Sequence, residues 1–185
     1  MIIPQIYRYV ILIPHRDALN PFEEFRTSLF SLGYEGAFSF PPAAPLAEVS
    51  HAFTSDELKK LAQTIRTLTM ENKGKITTTG DACLCTPDKL PFFGPPLDLS
   101  IEEKHIPETA RKKIQHIPSP AILCAALHPA PITHDLQPTT HIAFRAAALA
   151  NLSIRSLSSG EAGYSFEWRI GSRVWLPKHC KKDQH

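Results

Sequence analysis

A histidine and an arginine, His141 and Arg145, have the types and spacing that could do chemistry in this sequence. An imidazole can transfer a proton and a guanidinium can hold phosphate oxygens, so the pair indicates a phosphoester site. The alternative is the wet face of a sheet that happens to carry two polar side chains. In a strand the side chains alternate, which predicts one face with His141, Ala143 and Arg145 and an opposite face with Ile142 and Phe144.

A second histidine, His51, is the candidate catalytic partner of His141. It lies shortly before the N-terminus of a predicted helix that begins near Thr54. The alternative is that His51 is incidental, because Thr54 already has a structural role as the N-cap.

The cysteines predict reduced thiols rather than a metal site. Cys83 and Cys85 are two positions apart on a strand, and neighbours on one strand are poor disulfide partners. Zinc ligands usually have two to four intervening residues, so a zinc site that adds Cys124 or the pair His179-Cys180 is the weaker alternative to buried thiols. We therefore expect no metal and no cofactor, and the cytoplasm as the compartment.

The composition permits a partner that carries phosphate without requiring one. The net charge is +2, and 43% of the 185 residues are hydrophobic. A basic cluster at Lys104 and 111–113 could steer RNA, but acidic neighbours favour an ordinary solvated surface. Arg8 interrupts the first apolar run, so no signal peptide is expected, and no run is long enough to cross a membrane.

The first half of the chain predicts a buried strand and two helices. Residues 7–13 form a nearly continuous apolar run that is typical of a strand buried on both faces. Asn20 is the expected N-cap of a helix that ends at Gly33. Thr54 and Glu57 form a capping box that begins a second helix, whose apolar stripe is Leu58, Leu61, Ala62, Ile65 and Leu68.

The full sequence contains 17 prolines, which interrupt regular structure, so short elements are expected in the middle of the chain. Residues 38–40 and 46–50 are predicted as short strand pieces at a sheet edge. Residues 75–85 are predicted as two short strands or one bulged strand, and 87–96 as a loop. A short helix is expected over 106–115, and a second fully buried strand over 121–127.

The last third predicts strands. A strand begins at His141 and continues to Ala150 or bends near there, and residues 152–157 alternate. Residues 164–170 alternate between aromatic and polar types, and Gly171-Ser172 marks a bulge before 173–177. Together these elements predict an α+β fold over 1–177, as one domain or as two small lobes that share a core, followed by a flexible basic tail over 178–185.

In element order the chain resembles the two-histidine (2H, LigT-like) phosphoesterase superfamily. The features are a buried strand and a helix, then Val49-Ser50-His51-Ala52-Phe53-Thr54 before a second helix, and Pro138-Thr139-Thr140-His141-Ile142-Ala143-Phe144-Arg145 before the last strands. The resemblance implies a single two-lobed domain over 1–177, with antiparallel sheets flanked by helices. It also implies two His-x-Thr/Ser motifs, one per lobe, that face a shared cleft. One histidine acts as general base and the other as general acid, while hydroxyls hold the phosphate oxygens.

Both motifs depart from that pattern in this chain. Ala143 stands where the second motif has its hydroxyl, and Phe40-Pro41-Pro42 stands where the first motif is expected. The resemblance therefore implies a degenerate centre that binds or hydrolyses an RNA or nucleotide phosphodiester. Its residues are His141 and His51 as catalytic groups, and Arg145 and Thr140 as phosphate ligands. The alternative is a non-catalytic interaction module on the same fold.

Overall fold

A computed structural model describes residues 5–18, 20–31, 42–71, 76–77, 83–84, 92–94, 97–99, 102–116, 125–126, 141–156 and 164–176. Its main feature is a five-stranded antiparallel sheet in the order β10-β9-β1-β2-β6. A two-stranded sheet, β3-β8, and a three-stranded sheet, β4-β5-β7, accompany it. The bounds of the elements are β1 Gln5–Pro14, α1 Asn20–Ser31, β2 Ala44–Val49, α2 Ser55–Glu71, β3 Ile76–Thr77, β4 Cys83–Leu84, β5 Phe92–Gly94, α3 Glu108–Arg111, β6 Ile114–His116, β7 Ala125–Ala126, β8 His141–Ile142, β9 Phe144–Ser156 and β10 Tyr164–Trp175.

Strand β1 is the centre of the large sheet and is buried on both faces, as its apolar run predicts. Val10 and Leu12 belong to one hydrophobic cluster, while Tyr9 and Ile11 belong to another on the opposite face. β1 pairs with β9 along nearly its whole length, from Gln5 opposite Ile154 to Pro14 opposite Phe144. Partners on both sides satisfy the backbone of β1, which allows so apolar a segment to lie in the interior.

Helix α2 covers one face of the sheet, and its predicted apolar stripe is confirmed except at Leu68, which is half-buried. Leu58, Leu61 and Ile65 are buried in the same cluster as Val10 and Leu12. The capping box is also confirmed, since the Thr54 backbone N–H donates to Glu57 Oε2 at 2.7 Å. This bond fixes where the helix begins and therefore where the preceding turn at 51–52 lies.

Strand β9 is one continuous element of small residues through its first half. Alanines 146, 147, 148 and 150 are almost completely buried between β1 and β10. β10 pairs with β9 from Tyr164 to Trp175, and its register shifts between Ile170 and Arg173. The shift falls on Gly171 and Ser172, which confirms the predicted bulge.

The sequence-based predictions are wrong in three places, each of which depends on strand pairing. The expected helix over 106–115 ends at Arg111, because residues 114–116 form β6 and pair with β2. Phe92–Gly94, expected in a loop, is strand β5 and lies between β4 and β7. β2 is not an edge strand, because it lies between β1 and β6. β6 pairs only with the last residues of β2, so no hydrogen-bond donor toward β6 is required from Pro45.

The α+β class is confirmed by this mixture of an antiparallel sheet and a few helices. The predicted strand over 121–127 is described only at β7, and the strand piece at 38–40 and the tail at 178–185 lie outside the described residues. None of the described helices is long and apolar enough to cross a membrane.

Candidate phosphate site

His15, at the end of strand β1, lies next to the predicted site, although the sequence pattern did not mark it as a candidate. The backbone N–H of His15 donates to the Ala143 carbonyl at 2.6 Å. Pro14 lies opposite Phe144, after a register shift that follows Ile13. His15 is therefore held directly beside the segment 141–145 that the sequence marked for phosphate chemistry.

His15 is followed by a single 3₁₀ turn over Arg16–Ala18 that carries an acidic partner. His15 Nδ1 lies 3.5 Å from Asp17 Oδ2, and the His15 side chain is 25% exposed. The turn is closed by the Ala18 backbone N–H, which donates to the His15 carbonyl at 2.9 Å. This contact is not a hydrogen bond, since Nδ1 is buried and has no hydrogen-bond partner among the described residues. In the tautomer with its proton on Nδ1, Nε2 is the proton acceptor.

Arg145 lies at the irregularity where β9 begins. Phe144 and Ala147 pack into the cluster beneath α2, whereas Ala146 packs into the cluster on the opposite face. Normal alternation is thus broken between 144 and 146, and Arg145 is the residue at the break. Its side chain is exposed, and its carbonyl accepts from the Leu176 backbone N–H at 2.8 Å. The backbone at Arg145 is therefore fixed while the guanidinium remains accessible.

His141 belongs to the short strand β8, where it pairs with Thr77 of β3. Ile142 is completely buried and Phe144 nearly so, as the predicted alternation requires. Thr140 lies outside the described residues. The backbone thus places His15, His141 and Arg145 on one connected stretch at the C-terminal end of β1.

His51 lies at the other end of the same sheet. It is exposed in the turn after β2, and its carbonyl accepts from Arg8 Nη1 at 2.7 Å. Arg8 is near the start of β1, whereas Pro14 and Phe144 mark its end. At about 3.3 Å per residue, the six residues from 8 to 14 correspond to about 20 Å. The structure thus does not bring His51 together with Arg145.

A second charged cluster has a structural explanation. Glu57 is buried, and its carboxylate accepts from Thr54 while Lys113 Nζ lies 2.6 Å from Oε1. Burial by itself would raise the pKa of Glu57, but the hydrogen bonds from Lys113 and Thr54 outweigh it and hold the pKa below its usual value. The cluster joins the start of α2 to the residues before β6, and all its charges are paired.

The basic cluster around residue 111 is likewise partly neutralised. Lys113 pairs with Glu57, and Lys104 Nζ lies 2.7 Å from Glu102 Oε2. This pairing favours the solvated-surface interpretation for Lys104, whereas Lys113 is half-buried and belongs to the structural cluster with Glu57. Across the part of the chain that the structure describes, no group of three or more His, Cys, Asp or Glu side chains could hold a metal ion.

Sequence reasoning missed His15 and Asp17 because their partner segment is far away in the chain. The available signal was a histidine directly after a fully buried strand, where the backbone leaves the sheet and side chains become accessible. No family model, curated protein or solved structure matches the chain.

Proposed function

We propose that the chain binds a phosphodiester at the end of strand β1 and acts as a degenerate phosphodiesterase with an RNA or nucleotide end as its substrate. The observation that carries the proposal is the hydrogen bond from His15 to Ala143, which sets the His15–Asp17 pair beside the segment with His141 and Arg145. Two histidines and one arginine on connected backbone are the groups that the chemistry requires.

The two-histidine resemblance supports this proposal with one change. In that superfamily each lobe contributes a histidine to the cleft. In this chain the stretch that stands in place of the first histidine motif ends at Pro42, shortly before β2. Ala44 at the start of β2 lies opposite Leu12, so Pro42 is near the same end of β1 as His15. His15 is thus suited to take over the role of the missing histidine.

In the proposed reaction His15 Nε2 accepts a proton from water while the water oxygen forms a bond to phosphorus. The bond from phosphorus to the leaving ester oxygen breaks, and His141 donates a proton to that oxygen. Arg145 stabilises the charge on the non-bridging phosphate oxygens, as a guanidinium does through paired hydrogen bonds. Thr140 is the proposed hydroxyl ligand of the same oxygens.

The test is turnover of 2′,3′-cyclic nucleotides and linear phosphodiesters by the full chain and its single variants. His15→Ala and His141→Ala should each lower kcat/KM by about 10²- to 10⁴-fold, the usual contribution of a general acid or base. Each substitution should also remove one limb of the pH–rate profile, which a purely structural role would not do. Arg145→Lys should mainly raise KM, because lysine keeps the charge but not the paired donors.

A non-catalytic binding module is the second candidate, and Ala143 favours it. This residue stands where the resemblance requires a hydroxyl, is only half-buried, and uses its carbonyl to hold His15. The module should bind nucleotides with an affinity that Arg145→Ala weakens, yet it should show no turnover. Turnover that both histidine substitutions abolish would exclude this candidate, and the absence of both turnover and binding would contradict both proposals.

A further inference from the structure

Strand β10 has an outer edge that no described strand covers. It contains 12 residues, Tyr164–Trp175, and pairs with β9 on its inner side. Among the described residues, β10 is the end of the five-stranded order. The register with β9 is regular from Tyr164 to Ile170, so this segment presents an even row of outward backbone groups. Such a row is a template for another strand.

The charges on this edge alternate in sign instead of repeating. Glu167 and Arg169 lie on one face of the strand and Trp168 on the other, and Arg169 Nη2 lies 2.8 Å from Glu167 Oε1. Both side chains are at least half exposed. Edges that avoid pairing usually carry charged side chains (lysine above all), prolines, bulges or inward-pointing charged groups, and the bulge of β10 lies outside its regular segment 164–170. A Glu-x-Arg pattern does not repel a second copy of itself, because an antiparallel copy presents the opposite order.

We propose that two copies of this chain associate through antiparallel pairing of their β10 strands, with a twofold axis at Trp168. In this register Glu167 of each copy lies directly opposite Arg169 of the other, which gives two cross-strand ion pairs. The interface is isologous, since the same surface is used twice. The two large sheets then form one continuous sheet.

The bulge of β10 limits the length of the proposed pairing. After Ile170 the register shifts at Gly171 and Ser172, and a bulge twists a strand away from regular pairing. With the axis at Trp168, residue 166 lies opposite residue 170 of the other copy, so the regularly paired segment is 166–170 and is centred on the axis. Trp168 is half-buried and its ring packs 6.4 Å from that of Tyr9, so each indole is held in place near the axis.

The experiment measures the mass of the full chain by sedimentation over a concentration series. The wild type should show a reversible monomer–dimer equilibrium. Glu167→Arg and Arg169→Glu, made singly, each put like charges opposite one another twice and should raise the dissociation constant about tenfold or more. The double variant E167R/R169E restores both pairs, so its dissociation constant should return to near that of the wild type.

The matched control is Lys59→Glu, which reverses one member of an exposed ion pair with Asp56 on helix α2. It should leave the dimer unchanged. A wild type that stays monomeric would overturn the proposal. So would a dimer that both single reversals leave intact, or a double variant that stays dissociated.

A crosslinking experiment tests the register independently. Residues opposite each other in an antiparallel pair have Cα atoms about 4.5–5.5 Å apart, within the range of a disulfide. Trp168→Cys, at the axis, should therefore form an intermolecular disulfide on oxidation above the level of the wild type. Glu167→Cys should not, because its counterpart in the other copy is diagonal at about 7–8 Å. Equal crosslinking of the two variants would exclude the proposed axis.

Discussion

Tyr9 is an unusual residue in the interior of this protein. It is 2% exposed, and its hydroxyl has no hydrogen-bond partner among the described residues. Burial, together with the charge of Glu48 and electrostatic repulsion from the Tyr7 phenolate, raises the pKa of Tyr9, so the side chain stays neutral. Its ring packs against Tyr7 and Trp168, at centroid distances of 6.5 and 6.4 Å. The ring therefore contributes to stability, while the buried hydroxyl does not.

Tyr9→Phe should leave the free energy of unfolding unchanged or raise it by about 1 kcal/mol, because an unsatisfied buried polar group costs about 1–3 kcal/mol. Tyr9→Ala should lower it by about 3–5 kcal/mol, since the ring contacts are lost. Urea unfolding of both variants checks the prediction. A clear loss of stability in Tyr9→Phe would show that the hydroxyl has a partner in solution.

Glu57 makes stability depend on pH in a defined direction. Its folded-state pKa is held below the usual value, so its ionised form stabilises the folded chain at neutral pH. That contribution is complete above the pKa of an unfolded glutamate, about 4.3, and is lost as the pH falls through the folded-state pKa.

Glu57→Gln should therefore lower the free energy of unfolding by about 1–3 kcal/mol at neutral pH, because Lys113 loses its partner. The difference from the wild type should shrink as the pH falls below about 4. Denaturant unfolding at several pH values measures this. Glu24→Gln, at an exposed position on α1, is the control and should give a constant, small difference. A Glu57 effect that is equally constant would contradict the expectation.

At the scale of single elements, β9 shows how small side chains make room for larger neighbours on the face of a sheet. Ala148 lies between Ile11 of β1 and Arg173 of β10 and is completely buried. Small residues leave room for the larger side chains of the neighbouring strand on the same face. A larger residue at this position would have no space, since a packed interior resists added volume.

Ala148→Leu should destabilise the chain by about 1–3 kcal/mol through overpacking. Asn151→Leu, at an exposed position of the same strand, should change the free energy of unfolding by less than about 0.5 kcal/mol. Thermal or denaturant unfolding of the pair tests this. An equal effect of the two substitutions would mean that the cluster around Ile11 tolerates extra volume.

Elements with strong local signals were predictable from the sequence. The capping box at Thr54 and Glu57 fixed the start of α2, and alternation with a Gly-Ser interruption fixed β10 and its bulge. Local chemistry determines both, so no distant partner is needed. β6 and β5 were not predictable, because short strands form only when a partner strand supplies their hydrogen bonds.

The candidate site was predictable in only one half for the same reason. His141 and Arg145 stand close together in the sequence and follow a strand pattern. His15 joins them only through the pairing of β1 with β9, which no local pattern of residues 14–18 reveals.

At the scale of the whole molecule, the five-stranded sheet separates the two histidines that flank strands β1 and β2. His15 lies at the end with Arg145, and His51 lies at the end with Arg8. One phosphate group cannot contact both ends of a strand about 20 Å long. The sequence-based prediction that His51 is the catalytic partner and the proposal that His15 has this role therefore exclude each other at a single site, and kinetics of variants can distinguish them.

His15→Ala should lower kcat/KM for the phosphodiester by about 10²- to 10⁴-fold, while His51→Ala should retain it within about twofold, since the His51 imidazole is far from the site. Steady-state kinetics of the two variants with the same substrate decide between the arrangements. A large loss in His51→Ala together with an active His15→Ala would favour the original prediction.

The pairing of β1 with β9 also has a consequence for how the chain is made. The central strand β1 is synthesised before both of the strands it pairs with, and its longest partner begins only at Phe144. Until then β1 has only β2 beside it, and its apolar residues remain without their final neighbours. Closing so long a loop is slow, so relative contact order predicts late folding. A nascent chain that stops before residue 144 should accordingly bind chaperones and resist cooperative folding, whereas the full chain should not.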